Sequence, residues 1–356
     1  MKPRIIPLRT LASGEKLGIP VFEFRGQGGP SAYIQASLHG SEVQGNWVIA
    51  ELLERISRIE LLGDLTLVPC ANPYAQNLKF GEFTFGRFDP TSGENWNRSF
   101  FDLSHLAESV STDWPSAKIE LSRKILQALR LNPAQTESHS RSLSRILQTL
   151  AAPHDFMLDL HCASLCESHA YVPEYAFSSF TDLPCRHAVK IGPEFAGAMD
   201  EAFFAPWWKL ADRIQAASGN FPEIPQGFTL ELGHQDWSNP SLAAQQAEGI
   251  LHFLSRKGVV RGNFTAMKFP SRYSCELRNL RTHYSPKAGF VSLRSRLGEV
   301  QDRNEPYCEF IRFKDYSKEV LPCPESMIPL VFTNASSVHE GTELGKSLTH
   351  YSEVKP

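Results

Sequence analysis

The chain has 356 residues, of which 42% are hydrophobic and 21% are charged, and its formal net charge is -3. This composition excludes a predominantly disordered chain, and the charge gives no overall basic field for binding nucleic acid. Because domains average about 150 residues and large α/β domains often exceed that size, the length predicts one large domain and one small one.

The amino-terminal residues and the cysteines bear on the compartment of the protein. Residues 1–20 carry positive charge but no apolar segment typical of signal peptides, and no later run approaches the roughly 18 apolar residues of a membrane span. Seven scattered cysteines argue against a disulfide framework, and the Cys162–Cys166 pair lacks a second Cys/His pair that would complete a structural zinc site. We therefore expect a soluble, cytoplasmic protein.

Apolar runs that alternate with helical patterns predict the main structural unit. Residues 31–38 and 64–72 are typical of buried strands, and residues 46–59 between them carry apolar side chains close to the helical period. Two further buried strands are predicted at 154–164 and 227–235. Strands that alternate with helices indicate an α/β fold with a mostly parallel or mixed sheet flanked by helices.

Two segments differ from this alternation of strands and helices in their composition and predicted secondary structure. The polar, serine-rich stretch 101–152 contains two predicted helices, 116–130 and 140–150, and we interpret it as a helical insertion. After residue 261 the chain changes to short alternating strands broken by proline and glycine, which is typical of a small β domain. The sequence thus predicts an α/β domain at 1–261 and a C-terminal β domain at 262–356.

His39 and Glu42 stand between a predicted strand and a predicted helix, where both side chains can point into the crevice above the sheet. By itself this spacing also fits a glutamate near the positive end of the helix and a surface histidine. A second predicted strand, however, also ends in a histidine, His161. Two histidines and one glutamate at the ends of neighbouring strands match an open catalytic zinc site, in which water takes the fourth position.

Two carboxylates within apolar strands are candidates for supporting roles. Asp159 lies on the same strand face as His161, where it either orients the imidazole or forms a cap or a buried ion pair. Glu231 interrupts the apolar run FTLELGH, and burying a lone carboxylate is costly unless it is paired or lies at the mouth of a site. Burial raises a carboxyl pKa towards the range of a general base, so Glu231 is the candidate for that role.

Polar and aromatic residues elsewhere are candidates for substrate binding. Arg87 precedes a Gly-containing turn that Asn97 and Arg98 follow. Guanidinium groups suit the capture of a carboxylate or the polarisation of a carbonyl, although an isolated arginine is more often a surface ion-pair partner. The aromatic run FFAPWW at 203–208 can line an acyl pocket, but such a run is more often part of the core.

Five short motifs together resemble one enzyme family. They are HGSE at 39–42, NP at 72–73, NWNR at 95–98, DLH at 159–161 and LELG at 230–233. Their order and context are similar to those of the succinylglutamate desuccinylase/aspartoacylase family, whose members are relatives of the zinc carboxypeptidases. The resemblance runs from about residue 15 to the C-terminal β domain and leaves the 101–152 insertion uncovered.

The resemblance implies a zinc carboxypeptidase-like fold and a role for each site residue. It implies one zinc ion per chain bound by His39, Glu42 and His161, with Glu231 as general base, Asn97 and Arg98 binding a substrate carboxylate, and Arg87 polarising the carbonyl. The chain departs from the family at two points. It has Asn95-Trp96 where the family usually has Asp-Leu, and the spacing from Arg87 to Arg98 is longer.

We therefore expect a zinc-dependent hydrolase, a deacylase that cleaves the amide bond of an N-acyl amino acid or a similar small substrate. Two alternatives stay open, a zinc carboxypeptidase acting on short peptides and a metal- or ligand-binding protein without turnover. The expected partners are small molecules, neither nucleic acid nor a membrane, and self-association into a homo-oligomer is left open.

Overall fold

The computed structural model of the protein describes residues 2–130 and 137–355. Residues 131–136, which belong to the linker between the two predicted insertion helices, lie outside the described residues. The α-helices are α1 (Gln44–Ile56), α2 (Pro73–Gln76), α3 (Trp114–Ala128), α4 (His139–Ala151), α5 (Met199–Ser218) and α6 (Pro240–Arg256).

The strands of the first two thirds of the chain alternate with these helices. They are β1 (Arg4–Thr10), β2 (Lys16–Phe24), β3 (Gly29–Ala36), β4 (Glu60–Leu61), β5 (Gly63–Val68), β6 (Lys79–Phe80), β7 (Phe83–Thr84), β8 (Phe156–Ala163), β9 (Leu165–Cys166), β10 (His169–Pro173), β11 (His187–Ile191) and β12 (Gln226–His234). The strands that follow α6 are β13 (Val260–Arg261), β14 (Tyr273–Glu276), β15 (Leu280–Tyr284), β16 (Gly289–Leu293), β17 (Pro306–Ile311), β18 (Lys318–Pro322), β19 (Ile328–Phe332), β20 (Ser337–Val338), β21 (Glu343–Leu348) and β22 (Ser352–Glu353).

A ten-stranded sheet forms the centre of the molecule, in the order β1-β2-β5-β3-β8-β12-β10-β11-β14-β22. The four strands β5, β3, β8 and β12 are parallel to one another, as are β10, β11 and β14, whereas β10 runs antiparallel to β12. The predicted α/β fold with a mostly parallel or mixed sheet is therefore confirmed. The predicted strand-helix-strand unit is β3-α1-β5, in which the two strands are direct neighbours.

Helices cover both faces of this sheet because successive side chains of a strand point to opposite faces. Ile34 and Leu158 pack in one apolar cluster with α1 and α6, while their chain neighbours Tyr33 and Met157 pack in a second cluster with α3, α4 and α5. The two helices of the predicted insertion thus contribute to the second core cluster, and the aromatic run 203–208 lies buried within it as part of α5.

Antiparallel strands dominate the chain after α6. Two four-stranded sheets have the orders β15-β21-β19-β9 and β18-β17-β16-β20, while β14 and β22 extend the edge of the central sheet. Strand β9 comes from the segment after β8, so this C-terminal region pairs directly with a strand next to His161. The division of the chain at residue 261 stays a prediction.

Within residues 2–130 and 137–355, no helix is both long enough and apolar enough to cross a bilayer.

Candidate active site

His39, Glu42 and His161 meet in a buried cluster at the carboxyl ends of β3 and β8. His39 and Glu42 lie in the turn between β3 and α1, and His161 lies near the end of β8. Glu42 bridges the two rings, with its Oε1 atom 2.8 Å from His39 Nδ1 and its Oε2 atom 2.8 Å from His161 Nδ1. One ligand atom from each residue lies within 4.8 Å of the others, so the cluster can hold a metal ion.

The electrostatics of the cluster favour a bound cation. Burial opposes ionisation of Glu42, but the charges and hydrogen bonds of His39 and His161 hold the pKa of its carboxyl well below its usual range. Burial likewise disfavours a charged His161, but Asp159 and Glu42 raise the pKa of its imidazole well above the usual value. A carboxylate held between two imidazoles is a site where a metal ion can replace protons.

Each histidine is backed at Nε2 by another side chain, which leaves Nδ1 facing the centre of the cluster. His39 Nε2 donates to Asn95 Oδ1 at 2.9 Å. His161 Nε2 lies 2.9 Å from Asp159 Oδ2, although the contact lacks hydrogen-bond geometry and is electrostatic. Such partners fix the orientation of ligand imidazoles in metal sites. Of the alternatives left open for Asp159, the structure therefore shows a buried contact with His161.

A buried polar chain extends from Asp159 into the core. Gln35 Nε2 donates to Asp159 Oδ1 at 2.9 Å, and the Tyr33 hydroxyl donates to Gln35 Oε1 at 2.8 Å. Neither residue is among those predicted from the sequence. The available signal was the position of Gln35 within an apolar run, because a buried amide requires polar partners.

Glu231 lies beside the cluster, because it pairs in register with His161 across the parallel strands β12 and β8. The residue is partly exposed, but its Oε2 atom is buried and has no hydrogen-bond partner. Burial and the negative charge of Glu42 raise the pKa of the Glu231 carboxyl to about 7, while the charges of His161 and Arg87 oppose that rise. A carboxyl group with an unpartnered oxygen at the edge of a site is suited to accept a proton.

The three residues assigned to substrate binding surround the cluster at different depths. Arg87 is half-exposed and donates from Nη1 to Glu42 Oε1 at 3.3 Å. Asn97 is buried, and its Oδ1 atom accepts the Met199 N–H at the start of α5 at 2.9 Å. Arg98 is exposed, donates from Nη1 to the Asn97 carbonyl, and forms no ion pair with any carboxylate of the described residues.

The structure thus brings Arg87 into direct contact with the cluster, whereas Asn97 and Arg98 reach it through Asn95. Asn95 Oδ1, which accepts from His39, also accepts the Asn97 N–H at 2.9 Å. Asn95 therefore lies between His39 and Asn97, and its main-chain carbonyl also accepts the Arg98 N–H at 2.9 Å. Their roles in binding stay predictions.

The main-chain N–H groups of two cysteines, Cys162 in β8 and Cys166 in β9, contact residues of neighbouring segments. The Cys162 N–H donates to Glu42 Oε2 at 3.1 Å, and the Cys166 N–H donates to His234 Nδ1 at 2.8 Å. In the part of the chain that the structure describes, neither thiol belongs to a set of three converging ligand atoms.

Comparisons with known proteins show which family the chain resembles. The family model for the succinylglutamate desuccinylase/aspartoacylase catalytic domain matches residues 28–256. A crystal structure of a protein of this family from Shewanella amazonensis SB2B is 36% identical, covers 99% of this chain and 100% of its own, and superposes with a TM-score of 0.92. A structure named for the same family from Shewanella frigidimarina NCIMB 400 is 32% identical, with full coverage of both chains and a TM-score of 0.92.

More distant structures share the fold. The product-bound ectoine utilization protein EutE (DoeB) from Ruegeria pomeroyi is 15% identical, covers 97% of this chain and 93% of its own, and has a TM-score of 0.67. A search of curated proteins returned no match. The matched domain includes every residue of the cluster as well as Glu231. The chain belongs to the succinylglutamate desuccinylase/aspartoacylase family.

Proposed function

We propose that the protein is a zinc-dependent amidohydrolase that removes the acyl group from an N-acyl amino acid or a similar small molecule. The observation that carries this proposal is the unpartnered Glu231 oxygen beside a buried His-Glu-His cluster. Two histidines and one carboxylate are the donors found in open catalytic zinc sites, so His39, Glu42 and His161 would hold the ion. When bound, zinc lowers the pKa of water and polarises the scissile carbonyl.

The residues around the cluster then have separate tasks in hydrolysis. Glu231 Oε2 accepts a proton from the attacking water and later delivers it to the leaving amine. A carboxyl pKa of about 7 suits both proton transfers at neutral pH. Arg87, whose guanidinium reaches the cluster, supplies positive charge to the carbonyl oxygen as negative charge develops there. Arg98, which is free of carboxylate partners among the described residues, binds the substrate carboxylate with help from Asn97.

Replacing Glu231 by Gln tests this proposal because it preserves the size of the side chain but removes the proton acceptor. We expect kcat to fall by roughly 10²- to 10⁴-fold, the usual contribution of general acid-base catalysis, with zinc content unchanged. Zinc is measured by mass spectrometry, and turnover is measured with a panel of N-acyl amino acids and short peptides, which also separates a deacylase from a carboxypeptidase.

The matched control is Glu340→Gln, which makes the same chemical change at an exposed position. This control should retain full activity. If Glu231→Gln keeps turnover within a few-fold of the wild-type value, another group is the base. If the zinc-loaded wild-type protein hydrolyses no member of the panel, the proposed activity is wrong.

A further inference from the structure

Five exposed aromatic side chains lie on two segments that contact the turn of His39 and Glu42, and we call them the aromatic rim. Between 52% and 74% of each residue is exposed, and the members are Phe80, Phe83, Phe85, Phe88 and Trp237. Four of them belong to one short segment, 80–88, which contains the tight hairpin of β6 and β7. Large apolar side chains exposed in such density usually mark a binding surface, because their contact with water is unfavourable.

The two segments that carry the rim are fixed to the turn that holds the metal ligands. Gly40, which follows His39, donates its N–H to the Gly86 carbonyl at 3.1 Å. Ser41, which precedes Glu42, accepts the Asp236 N–H at 2.7 Å. Both rim segments therefore contact the two residues between the ligands through main-chain hydrogen bonds.

Close packing of glycines makes the first of these contacts possible. A Cβ atom on Gly86 would lie 2.5 Å from both Cα and N of Gly40, a distance that no side chain tolerates. The next two residues after Gly86 also join the site, because Arg87 donates to Glu42 and Phe88 forms a β-bridge with Asn95. The segment 80–88 is thus joined to the cluster and to Asn95, the residue whose side chain backs His39.

The two arginines near the cluster indicate that the ligand also has an anionic or polarised group. Arg87 and Arg98 offer two guanidinium groups that are exposed to solvent and suited to a carboxylate or a polarised carbonyl. A substrate that satisfies both the arginines and the rim is amphipathic, with one anionic end and one bulky apolar group. A small substrate with charges at both ends would leave the rim in contact with water.

We propose that the aromatic rim binds a bulky apolar group of the substrate, so that the preferred substrates are N-acyl amino acids with an aromatic or long aliphatic group. This inference rests on the proposed amidohydrolase function. The apolar group belongs either to the acyl chain or to the amino-acid side chain, and both offer the same chemistry to the rim. Ligand pockets commonly combine apolar walls with a few polar groups that fix orientation, as in this arrangement.

Affinity measurements on the zinc-loaded Glu231→Gln protein test the proposal without turnover. One ligand series lengthens the acyl group of an N-acylalanine from acetyl to octanoyl and phenylacetyl, and the other varies the side chain of an N-acetyl amino acid from alanine to leucine and phenylalanine. We expect the dissociation constant to fall by roughly tenfold or more along at least one series, since burying one aromatic-sized group is worth about that factor.

Rim variants identify the surface responsible for that trend. In the same background, Phe85→Ser and Trp237→Ala should remove most of the dependence on apolar size while leaving the affinity for N-acetylalanine within about twofold. The matched control is Phe313→Ser, because Phe313 is 70% exposed but lies in the turn between β17 and β18, which pair with no strand of the central sheet. The Phe313→Ser control should keep the full dependence of affinity on the size of the apolar group.

The outcomes separate this inference from the function on which it rests. If N-acetylalanine binds but affinity is flat along both series, or the rim variants keep the trend, the rim inference is overturned while the amidohydrolase proposal stands. If the rim variants change only the sedimentation coefficient of the protein, the rim is a contact between two copies and the inference is likewise overturned. If no ligand binds and the wild-type protein turns over none, both proposals fail.

Discussion

The buried imidazole of His187 predicts a defined loss of stability in mild acid. His187 begins β11 and is fully buried, and it contacts two later parts of the chain. Its Nε2 atom donates to the Gly298 carbonyl at 3.0 Å, while its Nδ1 atom accepts the Tyr273 N–H at 3.1 Å. Both ring nitrogens therefore have a hydrogen-bond partner only when the ring is neutral. A protonated Nδ1 would be a donor that faces the Tyr273 N–H, which is also a donor.

Burial, with the positive charge of Arg186, lowers the pKa of His187 to about 3. An unfolded histidine has a pKa near 6.5, so the unfolded chain binds more protons between these values and acid favours unfolding. The stabilisation from the neutral ring is fully present above pH 6.5 and is lost as the pH falls towards 3. For one such group the linkage relation gives a loss of about 2 kcal/mol between pH 7.5 and pH 5.

The assay is urea unfolding at pH 7.5, 6 and 5 in the presence of a chelator, because metal binding has its own pH dependence. His187→Gln should be less stable than wild type at pH 7.5 by about 1–3 kcal/mol, the cost of leaving one buried polar group unpaired. The difference in unfolding free energy between the two proteins should shrink by about 2 kcal/mol at pH 5, because only the wild-type protein loses the contribution of the neutral ring. His339→Gln, at an exposed position, should follow the wild-type curve. Parallel curves for wild type and His187→Gln would refute the reasoning.

Two further variants test the surroundings of the metal cluster. Asn95→Ala removes the acceptor of His39 Nε2 and should weaken zinc binding by about 10- to 100-fold, as measured by competition with a chelator. Asn95→Asp keeps an acceptor and should retain the zinc affinity of the wild-type protein. Equal zinc affinities in all three proteins would show that this contact does not orient the ring. Arg98→Leu should lower kcat/KM by about 10²-fold for a substrate with a free carboxylate and leave the corresponding primary amide unaffected. Equal losses on both substrates would make Arg98 a structural residue.

Local patterns were sufficient to predict the centre of the fold. The strands β3, β5, β8 and β12 and the helix α1 each have an apolar run with its own period, and the structure places each within a few residues of the predicted range. Because parallel strands end at one edge of a sheet, the position of a histidine after such a run was enough to bring distant residues together. The cluster of His39, Glu42 and His161 follows from that rule.

Local sequence patterns do not predict interactions between distant segments. The sequence marked Asn95 only as a departure from a family motif, because its contact with His39 spans 56 positions. Helix α5 is buried around most of its circumference and contains Pro206, so it shows little amphipathic period. The hairpin of β6 and β7 has strands of two residues, too short for any pattern to predict.

The attachment of the hairpin through main-chain atoms has a consequence for redesign. The contact between Gly40 and Gly86 uses no side chain of residues 80–85, so these positions can be exchanged without disturbing the atoms that converge on Glu42. The segment can therefore be replaced as a unit. A grafted hairpin of equal length that keeps Gly86 and Arg87 should retain the cluster of His39, Glu42 and His161 and present different side chains to the ligand. Libraries confined to these six positions would present new side chains beside an unchanged cluster of His39, Glu42 and His161.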